Sequence, residues 1–284
     1  MNDSPSPLPA TPIRLIAFDL DGTVLGHDQV ASPRVRAAIR AAAAQGIAVT
    51  IATGRNVSTA RKYAHELGVN APVICSQGGE LHDFKTDRTL FSLSMDDALA
   101  CEVIDFGERH PHWHTILYHS GQTYIQRKIF EDAFYARLLS DAAPRLVPSL
   151  REIVTGTHAD KLIFAMEAEH TPGAIRALRE FVGDRAIVVQ SHAMFAEVNP
   201  LGAHKGAGLA RLAARLGIPR EAVMAIGDQE NDVTMLLWAG LGVAMGQGPD
   251  LVKHSARWVA PSIDEDGAAV AIERFVLNQT PSAA

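Results

Sequence analysis

The sequence predicts an α/β protein built around a doubly wound parallel sheet that is interrupted by an inserted α+β domain. Three observations lead to this prediction. Apolar strands and helices alternate at the start of the chain, hairpins replace that alternation in the middle, and the alternation then returns. Strands that alternate with helices form parallel sheets, because each helix carries the chain back to the edge where the next strand begins. Hairpins mixed with helices indicate a separate antiparallel unit.

The first part of the predicted core covers residues 13–83. Its elements are strands at 13–18, 47–52 and 72–75 and helices at 33–45 and 56–67. Ser32 suits the N-cap of the first helix, and Gly46 and Gly68 end the two helices. The strands are short apolar runs with little alternation, which is typical of strands buried on both faces. Residues 1–12 are rich in Pro and Ser, and we expect a disordered tail there.

The middle of the chain, residues 84–190, predicts the inserted domain. Its expected elements are strands at 89–93, 115–118, 122–125, 161–166 and 186–190 and helices at 96–109, 130–139 and 172–181. A further strand is expected at 194–198, where it forms a hairpin with the strand at 186–190. We expect the core to resume over residues 191–284, where helices and strands alternate again up to a final helix at 267–277. The whole pattern is that of a Rossmann-like sheet split in two by the insertion.

Composition and charge exclude several classes of function. The chain of 284 residues is 47% hydrophobic and 20% charged, which is ordinary for a globular protein. Its net charge of −6 argues against a nucleic-acid-binding protein that works through a basic surface. No apolar run approaches the roughly 20 residues that span a bilayer, and the N-terminus does not resemble a signal peptide. Two cysteines fit a reducing compartment, so we expect a cytoplasmic monomer or homodimer whose partner is a small molecule.

Polar residues that can bind a cation and an anion follow three of the predicted parallel strands. These residues are Asp19 and Asp21, then Thr53-Gly54-Arg55, then a loop from Asp228 to Asp232, with Lys205 opening the preceding helix. Ligands of parallel α/β sheets bind at the carboxyl ends of the strands. Carboxylates are hard ligands for Mg²⁺, while a hydroxyl, a glycine amide and an ammonium group can hold a phosphate. This combination suits phosphoryl transfer, in which charge on the transferring oxygens must be neutralised.

The order of these motifs resembles that of the haloacid dehalogenase superfamily of phosphohydrolases. The four matching motifs are Asp19-Leu20-Asp21-Gly22-Thr23, Thr53-Gly54-Arg55, Lys205 and Gly227-Asp228-Gln229-Glu230-Asn231-Asp232. The insertion between the second and third motifs, together with Gly202-x-x-Lys205-Gly206, is similar to the Cof-type subgroup, whose members carry an α/β cap domain there. The resemblance covers nearly the whole chain, and it implies a phosphatase whose active site is covered by the inserted domain.

The resemblance also implies a role for each motif residue. Asp19 would attack phosphorus and form an aspartyl-phosphate, and Asp21 would protonate the leaving alcohol and then deprotonate the attacking water. The residues expected to hold the substrate are Leu20, Thr53, Gly54, Arg55, Lys205 and Asn231. The residues expected to bind Mg²⁺ are Asp19, Asp21 through its main-chain carbonyl, Asp228, and Asp232 through the groups that surround the metal. An Arg that opens a helix is equally often an ion-pair residue, so both interpretations of Arg55 stay open.

Three alternatives accompany this interpretation. A sugar phosphate or similar metabolite is the expected substrate, but a phosphatase dedicated to one carbohydrate product, such as mannosylglycerate or sucrose phosphate, fits the same cap placement. A non-catalytic phospho-acceptor module is disfavoured, because an acid–base group at Asp21 would bring it no benefit. A phosphomutase is disfavoured too. Phosphomutase relatives usually carry a helical cap domain between the first and second motifs, and the about 30 residues between Asp21 and Thr53 leave no room for one.

Overall fold

Five parallel strands form the core sheet of the protein, whose computed structural model describes residues 11–131, 135 and 143–278. In spatial order they are β16 (Trp258–Val259), β15 (Leu241–Ala244), β14 (Val223–Gly227), β1 (Leu15–Phe18) and β2 (Ala48–Ile51). A bridge between Ala52 and Ile74 connects this sheet to a three-stranded antiparallel one. The strands of that smaller sheet are β3 (Val73–Cys75), β4 (Glu80–Asp83) and β5 (Arg88–Ser92).

Helices cover both faces of the core sheet. One face carries α1 (Pro33–Ala44), α2 (Val57–Leu67) and α9 (Gly267–Ile272), and the other carries α6 (Lys205–Leu216), α7 (Val233–Trp238) and α8 (Asp250–His254). The central strand β1 is fully buried, with Ile16 and Phe18 in the first layer and Leu15 and Ala17 in the second. This explains why its sequence is apolar without alternation. No helix in the described part of the chain is long and apolar enough to cross a membrane.

The inserted domain, here called the cap, contains a six-stranded sheet. In spatial order its strands are β12 (Ala186–His192), β13 (Phe195–Pro200), β11 (Lys161–Ala165), β7 (His114–His119), β8 (Gln122–Ile125) and β9 (Arg145–Leu146). A separate pair is formed by β6 (Met95–Asp96) and β10 (His158–Ala159). The helices α3 (Asp97–Glu108), α4 (Leu150–Val154) and α5 (Thr171–Val182) pack on one face of the large sheet. Its other face is turned toward the core, where Lys161 reaches the Gly54 carbonyl.

The structure differs from the sequence-based expectations at both ends of the cap. β5 pairs with β4, so residues 88–92, which the sequence analysis assigned to the insertion, belong with core strands. β13 pairs with both β11 and β12, so residues 195–200, expected in the second core segment, belong to the cap sheet. The reason is the same in both places, because two strands that share a hairpin ladder cannot be divided between domains. The helix predicted at 130–139 lies mostly outside the described residues.

His114, at the start of β7, gives the cap a pH-dependent stability. It is buried, and its Nε2 lies 2.7 Å from the hydroxyl of Tyr135. Burial, helped by the charge of Arg127, lowers the pKa of this imidazole from 6.5 to about 4, so it stays neutral in the folded protein. The unfolded chain instead takes up a proton as the pH falls below about 6.5, and stability is lost over that range.

We therefore expect the wild-type protein to lose about 1–2 kcal/mol more unfolding free energy between pH 7 and pH 5 than the His114→Gln variant does. Urea denaturation at the two pH values measures this difference. Equal losses in the two proteins would mean that the imidazole is protonated within the fold at no cost.

Candidate active site

Asp19 and Asp21 lie in a tight turn directly after β1. The Leu20 carbonyl accepts hydrogen bonds from the backbone N–H groups of residues 23–25, the shortest at 2.8 Å. This turn keeps Asp19 buried at 5% exposure and leaves Asp21 at the surface. The Leu20 side chain packs in the core, so any contact between Leu20 and a substrate has to come from its main chain.

The turn is pressed against Asp228, which follows β14, the neighbour of β1 in the sheet. Gly22 has a φ of +87°, and a Cβ atom at this position would lie 2.4 Å from Asp228 Oδ2. The Thr23 hydroxyl donates a 2.9 Å hydrogen bond to Asp228 Oδ1. Glycine is therefore required at residue 22, both for the backbone conformation and for the close approach of the carboxylate.

Lys205 connects two of the carboxylates. It is the first residue of α6, whose N-cap His204 accepts a 3.1 Å hydrogen bond from the backbone N–H of Ala207. The Lys205 side chain is fully buried, and its Nζ donates to Asp19 Oδ1 at 2.7 Å and to Asp232 Oδ1 at 2.6 Å. Burial alone would lower the pKa of this ammonium group, but the two carboxylates outweigh burial and raise it. Lys205 is therefore positively charged in the folded protein.

Asp232 holds the loop after β14 in place. Its Oδ2 accepts hydrogen bonds from the backbone N–H groups of Asp228 and Gln229, at 2.8 and 2.9 Å. Because Oδ1 already accepts from Lys205, both carboxylate oxygens are engaged by protein groups. A Cβ atom on Gly227 would lie 2.5 Å from the Asp232 side chain, so the chain is tightly packed at this point. Asp232 thus orients Lys205 and Asp228.

Three buried carboxylates, those of Asp19, Asp228 and Asp232, place oxygen atoms within 4.8 Å of one another. Burial raises the pKa of Asp19 well above its usual value despite the opposing charge of Lys205. Burial, with the charge of Asp232, also raises the pKa of Asp228 to about 6. The single positive charge of Lys205 thus does not balance the three carboxylates. A cluster of carboxylate oxygens with excess negative charge is a set of ligands that suits Mg²⁺. Asp19 and Asp228 are the residues that would hold the ion. Asp232 already accepts bonds from the Lys205 ammonium group and two backbone N–H groups, whereas among the described residues Asp228 accepts only from the Thr23 hydroxyl and the Gln229 side-chain amide.

Asp21 forms a bidentate ion pair with Arg55. The guanidinium Nε and Nη2 atoms donate to Asp21 Oδ2 and Oδ1, at 2.9 and 2.7 Å. Arg55 also lies over the Tyr63 ring, 4.7 Å from its centroid. Partial burial raises the pKa of Asp21, but the hydrogen bonds and charge of Arg55 outweigh burial and bring the pKa below its usual value. Of the two interpretations of Arg55, the ion pair is the one seen in the structure.

The turn after β2 connects the core to the cap. Thr53 is buried, and its hydroxyl accepts a 3.1 Å hydrogen bond from the backbone N–H of Arg55. The Gly54 carbonyl accepts a 2.8 Å hydrogen bond from Lys161 Nζ of the cap. A Cβ atom on Gly54 would lie 2.5 Å from Gln77 Nε2, so a larger residue here would displace the Gln77 side chain. The predicted phosphate-binding turn is therefore in direct contact with a cap lysine.

Asn231 lies beside Gln77 on the core side of the same interface. Asn231 Nδ2 donates to Gln77 Oε1 at 3.1 Å, and Gln77 Nε2 donates to Glu197 Oε2 of the cap at 3.3 Å. Glu197 in turn accepts a 3.2 Å bond from Lys161. A continuous chain of hydrogen bonds thus runs from the loop after β14 through the cap to the Gly54 turn.

The structure brings together most of the residues that the sequence analysis singled out. One cluster contains Asp19, Lys205, Asp228 and Asp232, and Arg55 is paired with Asp21. The contacts of Thr23, Lys161 and Glu197 were not predicted. Thr23 belongs to the first motif, which could have indicated a role. Glu197 was detectable only as the single charged residue of its strand.

Comparison with known proteins gives consistent matches over almost the whole chain. The family model of haloacid dehalogenase-like hydrolases matches residues 16–272. A 5-amino-6-(5-phospho-D-ribitylamino)uracil phosphatase of Bacillus subtilis is 32% identical over 93% of this chain and 96% of its own length. An HMP-PP phosphatase of Serratia proteamaculans is 30% identical over 82% and 84% of the two chains. The crystal structure of a haloacid dehalogenase-like hydrolase from Bacteroides thetaiotaomicron aligns with a TM-score of 0.79 at 27% identity, covering 92% and 99%.

Proposed function

Because the chain belongs to the haloacid dehalogenase-like hydrolases and is a phosphatase, we propose that it hydrolyses a small phosphate monoester with Mg²⁺ as cofactor. The matches confirm the superfamily, the Cof-type subgroup and the α/β fold that the four motifs indicated. Relatives named as phosphatases of small molecules support a metabolite as substrate, and a sugar or polyol phosphate is our preferred class. A non-catalytic phospho-acceptor module is no longer a candidate.

One observation carries the mechanistic part of the proposal, namely the position of Lys205 between Asp19 and Asp232 beside the Asp228 carboxylate. The hydrogen bond from Lys205 fixes the orientation of the Asp19 carboxylate, so that its other oxygen can attack phosphorus. The ammonium charge then faces the negative charge that develops on the phosphoryl oxygens. Both roles require a lysine that is charged while fully buried, and the two carboxylates supply that condition.

In the proposed reaction, an oxygen of Asp19 forms a bond to phosphorus as the bond from phosphorus to the substrate alcohol breaks. Asp21 is ionised while it is paired with Arg55, so in this reaction it leaves Arg55, takes up a proton and gives that proton to the departing alkoxide. Water then attacks the phosphorus of the aspartyl-phosphate, Asp21 takes a proton from it, and Asp19 is released together with inorganic phosphate. Mg²⁺, held by Asp19, Asp228 and the Asp21 carbonyl, would offset charge on the phosphate group. Thr53 and Lys205 hold the phosphate oxygens.

Removal of the metal is the first test. We expect p-nitrophenyl phosphate hydrolysis to fall at least about 100-fold in excess EDTA and to return when Mg²⁺ is added above the chelator concentration. Asp228→Asn should raise the Mg²⁺ concentration needed for half-maximal activity by about 10-fold or more, since one ligand charge is lost. Undiminished hydrolysis in EDTA would contradict the metal role, and an unaltered Mg²⁺ requirement in the variant would remove Asp228 from the site.

Asp21→Asn tests the proton-transfer role. Loss of a general acid–base group should reduce kcat on an alkyl phosphate by about 10²- to 10⁴-fold. With p-nitrophenyl phosphate, whose leaving group needs no proton, the variant should release a burst of p-nitrophenolate close to the enzyme concentration and then turn over slowly. Asp28→Asn, at an exposed residue of the same loop, is the matched control and should behave as wild type. Wild-type turnover of the alkyl phosphate by Asp21→Asn would exclude this role.

A further inference from the structure

The core-facing side of the cap carries polar side chains on a strand whose other side is apolar. Residues of β13 alternate between the two faces, and Ala196 and Val198 pack among the cap helices. Glu197 and Asn199, at the intervening positions, therefore share the opposite face, which is turned toward the core. Both are buried, at 3% and 0% exposure. Buried polar residues at alternate positions of one strand indicate that the core-facing side of the cap sheet is polar here.

Glu197 is held by groups from both domains. Its carboxylate accepts hydrogen bonds from Lys161 at 3.2 Å and from Gln77 at 3.3 Å, and it also accepts one from the Ser191 hydroxyl. Lys161 in addition lies 4.7 Å from the centroid of the Tyr118 ring. The charges of Lys161 and Glu197 cancel, so this surface is polar and close to neutral. It therefore favours a ligand that offers hydrogen bonds and no further charge.

Asn199 is the residue that points to a ligand. Its amide nitrogen and oxygen are both buried and have no hydrogen-bond partner among the residues that the structure describes. On the core side, the Oδ1 atom of Asn231 is also buried and has no hydrogen-bond partner among the described residues. A buried amide without partners costs about 1–3 kcal/mol, so its retention calls for a partner that arrives from outside the protein.

A cavity of about 300 Å³ adjoins Asn231 at the interface of the cap and the core. The cap contributes Ile187 and Val189 to its wall, and these residues are the cross-strand neighbours of Asn199 and Glu197. From the core it is lined by Gln77, Asn231 and Lys205, among others. The volume is at the lower end of the range for small-molecule sites. The cavity is thus lined by Asn231 and Lys205, and it lies beside the pair of strands that carries Asn199 and Glu197.

We propose that Asn199 and Glu197 determine substrate specificity by hydrogen-bonding hydroxyl groups on the alcohol half of the phosphate ester. A hydroxyl group can both donate and accept hydrogen bonds. It therefore suits the Asn199 amide, which does both, and the neighbouring Glu197 carboxylate, which accepts them. The alcohol half is therefore a neutral polyol or sugar. This inference rests on the proposed function, because it assigns the part of the substrate that the phosphate-binding residues do not contact.

The test compares hydroxyl-rich and hydroxyl-free substrates in the Asn199→Leu variant, which has a similar volume and no amide. The substrates are glucose 6-phosphate, sorbitol 6-phosphate, ribitol 5-phosphate and p-nitrophenyl phosphate. We expect kcat/KM on the best sugar or polyol phosphate to fall about 10- to 100-fold, and kcat/KM on p-nitrophenyl phosphate to change less than about twofold. The thermal midpoint should stay level or rise, because an unpartnered buried amide has been removed.

Gln190→Ala is the matched control, since Gln190 lies opposite Ala196 and so faces away from the core. It should leave both activities unchanged. Equal losses on both kinds of substrate, or a marked drop in the thermal midpoint, would mean that Asn199 is structural and would overturn the inference. A wild-type enzyme that prefers p-nitrophenyl phosphate to every sugar and polyol phosphate would overturn it as well. If the wild-type enzyme hydrolyses none of the four compounds, the proposed function fails together with this inference.

Discussion

Replacement of Asp19 by asparagine should reduce kcat on p-nitrophenyl phosphate by about 10⁴-fold or more. The neutral amide is not a nucleophile, so no covalent intermediate can form, although the amide oxygen can still accept the hydrogen bond from Lys205. The fold should survive, because Lys205 keeps its ion pair with Asp232 and the repulsion among the three buried carboxylates is reduced. Steady-state kinetics and thermal unfolding measure the two effects.

A second readout identifies the nucleophile directly. Acid-quenched wild-type enzyme should contain a protein-bound phosphate that is detectable by mass spectrometry and maps to the peptide that contains Asp19. Asp19→Asn should lack it, whereas Asp28→Asn, which changes an exposed carboxylate in the following loop, should retain it. Labelled protein in the Asp19→Asn variant would place the nucleophile elsewhere.

The meeting of Asp19 and Asp228 could be predicted from the sequence because it follows from the topology of the sheet. Both residues come directly after buried strands, and parallel strands present their carboxyl ends at one edge. In the structure, Phe18 of β1 lies in register with Ile226 of β14, which brings the two following loops side by side. The position of Lys205 at the start of α6 follows in the same way, since that helix leads into β14.

Contacts between side chains could not be predicted in this way. The ion pair of Arg55 with Asp21 depends on the conformations of two loops and of two side chains, which no sequence pattern specifies. The same applies to Asp232, whose two oxygens accept bonds from Lys205 and from two backbone N–H groups. The order of the motifs predicts which residues form the site, whereas the contacts and the role of each residue depend on atomic geometry.

The cap was harder to predict than the core for a physical reason. In β13, polar residues alternate with apolar ones, as in any strand with one face in solvent. Glu197 and Asn199 are buried only because the cap packs on the core. This contact between domains cannot be predicted from the alternation of polar and apolar residues along one strand. The cap sheet continues past residue 190, where the sequence analysis expected the second core segment to begin, since β12 and β13 remain together in one hairpin.

Replacement of Lys205 by methionine is expected to have the largest effect on stability. The variant leaves Asp19 and Asp232 buried without their shared cation, and removal of one partner from a buried ion pair costs about 3–5 kcal/mol. Phosphatase activity should be lost as well. Burial already raises the pKa of Asp19, and loss of the ammonium charge raises it further. A carboxyl group with a raised pKa in the folded state destabilises the protein at high pH and not at low pH, so the deficit should shrink as the pH falls from 7 to 5.

Urea denaturation in EDTA, at both pH values, measures this deficit without interference from bound metal. Lys85→Met removes an exposed lysine from a surface turn and is the matched control, with an expected change within about 0.5 kcal/mol. Adding Asp232→Asn to Lys205→Met should recover part of the lost stability, because one of the two uncompensated charges is then gone. A Lys205→Met protein as stable as wild type at pH 7 would show that the two carboxylates are neutral in the folded state. Such a result would contradict the charged pair of Lys205 and Asp19 on which the proposed mechanism depends.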